Sequence, residues 1–406
     1  MRRILLASFG ETTGDDAVRT LLPLIAVTLL GVGGGLLGLL NALPFLWYLI
    51  AHRRIGATVD ALGHRRAVLL GNGLRLVTVS TLILLLATDL LSTAALLGLA
   101  ALIGLGDALF TTGHSAMVPA VVGRERTAAC YQRIEAVGAI ARVTGPAAVS
   151  ALLRLASPAV ALALGLLSYL LSLLTLASLP RTPEPAPADS APGETPAPAP
   201  RSPAPRWTVR RVLSTPGLGR LTLATTLLNA AAMISGTALV LFALETLGLS
   251  TATVALLTAA AAAGALLGAA GAGPLRSRLP TGAAKLLATA GVALASLIAP
   301  AALLLPASAV VLGVGELLVA ACATASAVVG SDVPARLIPQ HELGRAFATI
   351  RLLTIGVMPA ASVLGGQCIE ATSPVAALFG AAAVAALACL PLARIRHWSP
   401  PEEEHP

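Results

Sequence analysis

Between residues 56 and 66 the chain reads Gly56-Ala57-Thr58-Val59-Asp60-Ala61-Leu62-Gly63-His64-Arg65-Arg66, a short polar and basic stretch set between two long apolar runs, roughly 34–52 and 67–88. Each run is close to the length of about 20 residues that an α-helix needs to cross about 30 Å of hydrocarbon, so the stretch reads as a tight connection between two membrane spans. The residue types suit that task. Gly56 permits close helix approach, Gly63 turns the chain, and Asp60 can accept hydrogen bonds from a helix N-terminus and favour its dipole. Arg65 and Arg66 can partner the acid or bind lipid phosphate.

Apolar stretches of the same length recur outward in both directions. Of the 406 residues, 56% are apolar and only 11% charged, and the mean hydropathy is +0.85. Soluble domains carry about one quarter charged residues, so a soluble fold is excluded. Twelve candidate spans follow, roughly 8–31, 34–52, 67–88, 92–119, 127–153, 157–179, 218–245, 251–273, 283–305, 308–331, 343–369 and 374–395. Glu11, Asp15, Asp16 and Arg19 weaken the first, and Pro300 and Pro306 divide the continuous apolar run 282–331. The fold class expected is an all-α polytopic membrane protein. Arg2 and Arg3 precede an apolar run that these acids interrupt, without a small-x-small cleavage site, so no cleavable signal is expected.

The formal charge of +8 would in a soluble chain suggest nucleic acid. Position argues otherwise. All but four of the 27 basic residues (Arg19, Arg75, Arg142 and Arg154) fall on one side of the span map, as cytoplasmic loops require. The opposite connections carry Asp89, Glu245 and Glu370 and almost no base. Nucleic acid is therefore not an expected partner, and both termini are expected in the cytoplasm with the chain multi-pass in a plasma (inner) membrane. Four cysteines, Cys130, Cys322, Cys368 and Cys389, lack any metal-ligand spacing. Neither a cofactor nor a metal is expected.

From Pro183 to Pro205 prolines alternate with Ala, Ser and Thr, a composition that cannot bury a core. The expected organisation is a six-helix bundle over 1–180, a Pro-rich cytoplasmic linker over 181–215, a second six-helix bundle over 216–396 and a disordered acidic tail over 397–406. The halves echo each other. Val118-Pro119 followed by Gly123-Arg124 and Ala128 matches Ile338-Pro339, Gly344-Arg345 and Ala348; Pro339 lies 220 residues after Pro119, and Gly365 lies 220 after Gly145. Parallel repeats with a substrate site between them are an established transporter plan.

The 56–66 stretch is similar to the loop signature G-x-x-x-D-R-x-G-R-R of the major facilitator superfamily, with Asp60, Gly63, Arg65 and Arg66 keeping its core and Ala61 and His64 departing from it. That resemblance implies the major facilitator fold: twelve helices in two pseudo-symmetric halves. It further implies that Asp60 engages the eleventh span to lock the outward-facing state. The second-half counterpart, Gly273 to Arg278, has no acid and reads as a charged turn. Gly14-Asp15, Val118-Pro119 with Arg124-Glu125, and Arg142-Val143-Thr144-Gly145-Pro146 resemble the branch holding enterobactin-exporter-like and macrolide-efflux-like proteins. Gly145-Pro146 also resembles the fifth-span motif of drug/proton antiporters, where a Gly-Pro step gives a helix kink and a close contact.

Ionisable side chains at bilayer depth are expensive and mark pathways unless they snorkel. Glu11, Asp15 and Arg19 share a helical face, with Asp16 to its side. Asp15 can pair with Arg19 or, like Asp16, carry a proton. Asp107 and His114 lie close to one face of the fourth span; His114 can report protonation or bond a neighbouring helix, and Asp107 can pair with Arg142 or Arg19. Arg142 is too deep to snorkel and needs Asp15, Asp16 or Asp107, whereas Arg75 is expected to snorkel. Asn229 and Glu316 are candidates in the second half, and Trp47 and Tyr48 suit either a pathway or a lipid interface.

The leading expectation is a monomeric, proton-antiport efflux carrier of an amphipathic small molecule, drug-like or siderophore-like, working by alternating access. An uptake symporter or facilitator is the nearest alternative. A polytopic membrane enzyme lacks gathered acids or histidines, a non-transporting membrane partner lacks a soluble domain, and no phosphate loop supports direct ATP drive.

Overall fold

A computed structural model describes residues 1–179 and 207–400. Much of the expected linker and the acidic tail, 180–206 and 401–406, lie outside the described residues. With backbone polar groups in lipid obliged to bond within their own segment, the apolar runs form helices, and no strand occurs among the described residues. The first half comprises α1 (Arg2–Leu30), α2 (Gly34–Ile50), α3 (His52–Leu62), α4 (His64–Ala87), α5 (Thr93–Val122), α6 (Arg124–Leu155) and α7 (Pro158–Ala177). The second comprises α8 (Val209–Ser214), α9 (Leu218–Leu241), α10 (Thr251–Arg278), α11 (Thr281–Ser296), α12 (Ile298–Ala301), α13 (Ser308–Val328), α14 (Val333–Leu337), α15 (Gln340–Ala371), α16 (Pro374–Leu387) and α17 (Cys389–Ala393).

Ten described helices or helix runs are long and apolar enough to cross a membrane, and α2 with α3 makes an eleventh, bent by 72°. The 29-residue α1 is long enough to cross as well, but Glu11, Asp15, Asp16 and Arg19 set its composition apart. Its packing against α7 and α6 gives it the first place in a twelve-helix, two-half bundle. The 282–331 run breaks at Leu297, where α11 gives way to α12 with Pro300 inside it, and again at Pro306, which follows a 3-10 turn and precedes α13.

Pseudo-symmetry is visible in which helices touch. The pairs α1·α7, α1·α6, α4·α5, α4·α7 and α2·α5 recur as α9·α16, α9·α15, α11·α13, α11·α16 and α10·α13. Between halves, α2·α15 and α6·α10 are the principal seams, each the symmetry counterpart of the other. Residues 207–215, read from sequence as linker, are folded onto the second half: Trp207 is buried, its Nε1 donates to Glu342 (2.7 Å) and its carbonyl accepts from Thr349 (2.7 Å).

Gly63 joins α3 to α4 at φ 83°, and Gly123 joins α5 to α6 at φ 82°, a backbone region that side chains resist, so both turns need glycine. Gly56 departs from its expectation. Nothing lies within 4 Å of a Cβ built there, because Gly56 borders a cavity and no helix approaches it. Gly145 is also looser than expected: a Cβ built there would meet Thr13 O at 3.6 Å and Asp16 Cβ at 3.7 Å, ordinary contacts. The tight position is its counterpart Gly365, where a Cβ would lie 3.0 Å from Ile234 Cα, while Pro146 sits within α6 as the sequence suggested.

Candidate functional site

Along α1, Glu11 and Asp15 are one turn apart and present their carboxylates to α4, where Arg75 waits eleven residues past the helix start, about 16 Å along its axis. At that depth an arginine cannot reach the interface. Arg75 is 0% exposed: its Nη1 binds Asp15 (3.0 Å) and Glu11 (3.4 Å), and its Nη2 binds Asp107 on α5 (3.0 Å). The snorkelling expectation for Arg75 is thus overturned; it is the centre of the buried network. Its guanidinium also lies over Phe110 (4.9 Å) and Tyr169 (5.4 Å), a cation–π sandwich that suits a planar, weakly hydrated ion. Tyr169 donates to Asp15 Oδ1 (2.7 Å).

Asp107 connects this network to open space. Its Oδ2 pairs with Arg19 (3.5 Å), whose side chain is 55% exposed, and accepts from Tyr48 (3.2 Å); Thr111 donates to its Oδ1 (3.3 Å). Arg19 therefore crosses to α5 for its described ion pair, and Asp15 is held by Arg75 and Tyr169. Tyr48 and Thr111 also line a cavity of about 950 Å³ between α2, α3 and α5 of the first half and α15 of the second. Trp47 lies behind this wall, its Nε1 donating to Ala101 O (2.7 Å). Oxygen atoms of Glu11, Asp15 and Asp107 approach within 4.8 Å of one another, a spacing suited to a cation. The cation they hold is the Arg75 guanidinium, which bonds all three.

The remaining expected residues are dispersed. Asp16 is half-buried beside Gly145, and its Oδ2 has no hydrogen-bond partner. Arg142 pairs with Glu135 (3.3 Å) on its own helix, not with Asp15, Asp16 or Asp107, because Arg75 and Arg19 already meet two of those acids. His114 stacks on Phe110 (5.2 Å, 12°), with its Nε2 unpartnered, so it bonds no neighbouring helix through that atom. Asn229 donates to Thr354 O (2.7 Å), tying α9 to α15. Glu316 is half-buried on α13, with no hydrogen bond or ion pair among the described residues.

The two ends of the bundle differ. At the arginine-poor end the seam is shut: Gly35 N donates to Glu370 (2.9 Å), Ser362 Oγ donates to Gly38 O (2.9 Å), and Ser150 Oγ donates to Ala252 O (2.7 Å) across α6·α10. At the arginine-rich end the halves part around the cavity. Asp60 is exposed there, and no hydrogen bond or ion pair among the described residues joins it to α15. Arg65 bonds Ala177 O (2.7 Å) at the C-terminus of α7, the end of a helix dipole that attracts a cation, and Arg66 is exposed. In the second half residues 273–278, read from the sequence as a charged turn, are instead the last residues of α10, and an acid reaches them from outside: Asp332 takes both Arg276 (2.7 Å) and Arg336 (2.9 Å).

Two six-helix halves, shut at one end and parted around a cavity at the other with a buried charge network beside it, are the architecture of a membrane transporter. The Major Facilitator Superfamily model matches residues 4–334, and the chain belongs to that superfamily. It is a secondary transporter. No functionally curated protein matches the sequence. Among solved structures it is similar to a bacterial homologue of the iron transporter ferroportin in an inward-facing state (16% identity, 97% of each chain, TM-score 0.69). The nucleoside transporter NupG in its D323A form (13% identity, 97% of this chain and 98% of that one, TM-score 0.72) is a second. A third is a bacterial homologue of the human lysosomal transporter Spinster, inward-facing and unoccupied (17% identity, 98% of each chain, TM-score 0.68). At these identities the likeness is one of fold.

Proposed function

We propose that this protein is a proton-antiport efflux carrier of the plasma (inner) membrane, acting as a monomer on an amphipathic small molecule. Its arginine-rich end and both termini face the cytoplasm, because Lys and Arg accumulate on cytoplasmic loops. The shut arginine-poor end and the parted arginine-rich end then correspond to an inward-facing state. Export is favoured by the resemblance of the 142–146 and 118–125 segments to efflux carriers and by an apolar cavity wall that includes Phe45, Leu49, Ile55 and Phe347.

One observation carries the coupling. Asp107 is shared between fully buried Arg75, exposed Arg19 and the cavity-lining Tyr48 and Thr111. A proton arriving on Asp107 releases Arg19 and reorders the wall that substrate touches, so proton and substrate compete through one carboxylate. Asp16, with an oxygen unpartnered among the described residues, is the second proton acceptor, and Asp15 braces the network through Arg75 and Tyr169. Asp60 acts later in the cycle, closing on α15 when the arginine-rich end shuts. Arg142, Asn229 and Glu316 line or brace the route across the midplane.

The test uses purified protein in liposomes carrying an internal pH dye, with a lipophilic dye as substrate. Substrate-driven proton movement is expected in the wild type and at least tenfold less in Asp107→Asn. Substrate flux without proton movement in the wild type refutes antiport, and retained proton movement in Asp107→Asn removes that residue from coupling.

A further inference from the structure

We infer that the cavity between α2, α3, α5 and α15 selects amphiphiles with an anionic head, and that Arg351 is the residue that selects them. The inference rests on the cavity being the one that substrate enters. Arg351 is the one charged residue among the described residues lining it, and it is exposed. It has no hydrogen bond, ion pair or ring contact among the described residues. The other inward arginines are committed: Arg75 to three carboxylates, Arg19 to Asp107 and Arg142 to Glu135. An unpaired guanidinium against an apolar wall is a strong binding centre for carboxylate, sulfonate or phosphate, because its planar fork meets two oxygens at once.

The hydroxyls around it sharpen the argument. Thr112 donates to Ala108 O (2.7 Å), Ser115 to Thr112 O (2.9 Å) and Thr354 to Ile350 O (3.0 Å). Thr349 donates to Trp207 O (2.7 Å), and Tyr48 and Thr111 donate to Asp107. With their protons engaged, these groups offer a ligand only lone pairs. The side-chain donor left on that wall is Arg351, and its charge makes it bind an anion more strongly than a neutral acceptor. The preferred ligand is thus an apolar body of a size to fit about 950 Å³, an anionic head for Arg351, and hydroxyl or amide N–H groups for the accepting oxygens. A membrane lipid headgroup and a free organic acid share that chemistry.

Binding of a dansyl-labelled undecanoic acid, its primary amide and the matching alkyl trimethylammonium, read by fluorescence on the full chain in nanodiscs at neutral pH, tests this. The wild type is expected to bind the acid at least about tenfold more tightly than the amide or the cation. Arg351→Ala should bring acid and amide to within about twofold while leaving the amide unchanged, and Arg351→Lys should restore part of the preference. Gly56→Trp, at a cavity-lining position with open space around its Cβ, should weaken all three probes by filling the cavity. Equal binding of acid and amide by the wild type overturns the inference, as does an unchanged ratio in Arg351→Ala or full acid binding by Gly56→Trp. Competition by phosphatidylglycerol discs that vanishes in Arg351→Ala identifies the headgroup as the anion; its absence identifies a free acid. Acid-selective binding without proton-linked flux would sink the antiport reading and leave this selectivity standing. Proton-linked flux of a neutral amphiphile with no acid preference would do the reverse.

Discussion

The two halves share a helix-pairing pattern and differ in what they bury. In the first, α1, α4 and α5 bury a guanidinium among three carboxylates and two aromatic rings. In the second, the matching helices α9, α11 and α13 carry small apolar side chains and isolated polar groups, and the described ion pairs lie at the arginine-rich end, as in Arg276–Asp332. One fold thus accommodates a charge-built core and a packing-built core. The difference locates proton chemistry in one half and leaves the other as the surface against which it rocks.

The sharpest way to break that comparison is Arg75→Ala. Removing the guanidinium leaves Glu11 and Asp15 without their buried cation and Asp107 with Arg19 alone, which costs about 3–5 kcal/mol. A lower midpoint of thermal unfolding in detergent is expected, partly recovered by adding Asp15→Asn and Asp107→Asn. An Arg75→Ala protein as stable as the wild type would show that the first half is organised by packing after all.

Gly34→Val tests the seam between the halves with a smaller expected effect. A Cβ at Gly34 would lie 2.7 Å from both Gly366 O and Ile369 Cβ, so α2 and α15 must separate. Overpacking of this kind costs about 1–3 kcal/mol, charged here to the shut state of the arginine-poor end alone. Spin labels at positions 89 and 373 should move apart relative to the wild type. Unchanged distances would mean that the seam is not what holds that end closed.

Much of this was legible in the sequence because bilayer thickness and the placement of arginines act on whole segments. Span positions, the split at Pro300 and Pro306, the turn at Gly63 and the two-half organisation all follow from such long-range rules. The partners in the charge network did not, because pairing depends on how helices rotate about their axes. Glu11 and Asp15 announced a polar face on α1, but only the packing of α1, α4 and α5 shows that this face meets Arg75. Depth was the missed signal: eleven residues into α4 is about 16 Å, too far for an arginine to reach water. Tyr48 could be read only as suited to either a pathway or a lipid interface, and Tyr169 and Arg351 carried no signal of their own, since single tyrosines and arginines in spans look alike until a cavity or a carboxylate is set beside them.

The mildest test asks whether a buried charge in the second half matters as one does in the first. Lys285 is 4% exposed and donates from Nζ to Ser326 O (2.6 Å), near the C-terminal end of α13, where unsatisfied carbonyls and the helix dipole favour a cation. Thr289 and Ser326 share a hydroxyl contact beside it (3.0 Å), and no carboxylate takes part. Replacing this ammonium with an apolar chain of similar length removes one charge-assisted hydrogen bond and also the cost of desolvating a charge, two effects of similar size and opposite sign. Lys285→Met is therefore expected to change stability by no more than about 1 kcal/mol and to leave proton-linked transport intact. If it proved as damaging as Arg75→Ala, the second half would hold an electrostatic centre of its own, and the division between a charge-built and a packing-built half would have to be given up.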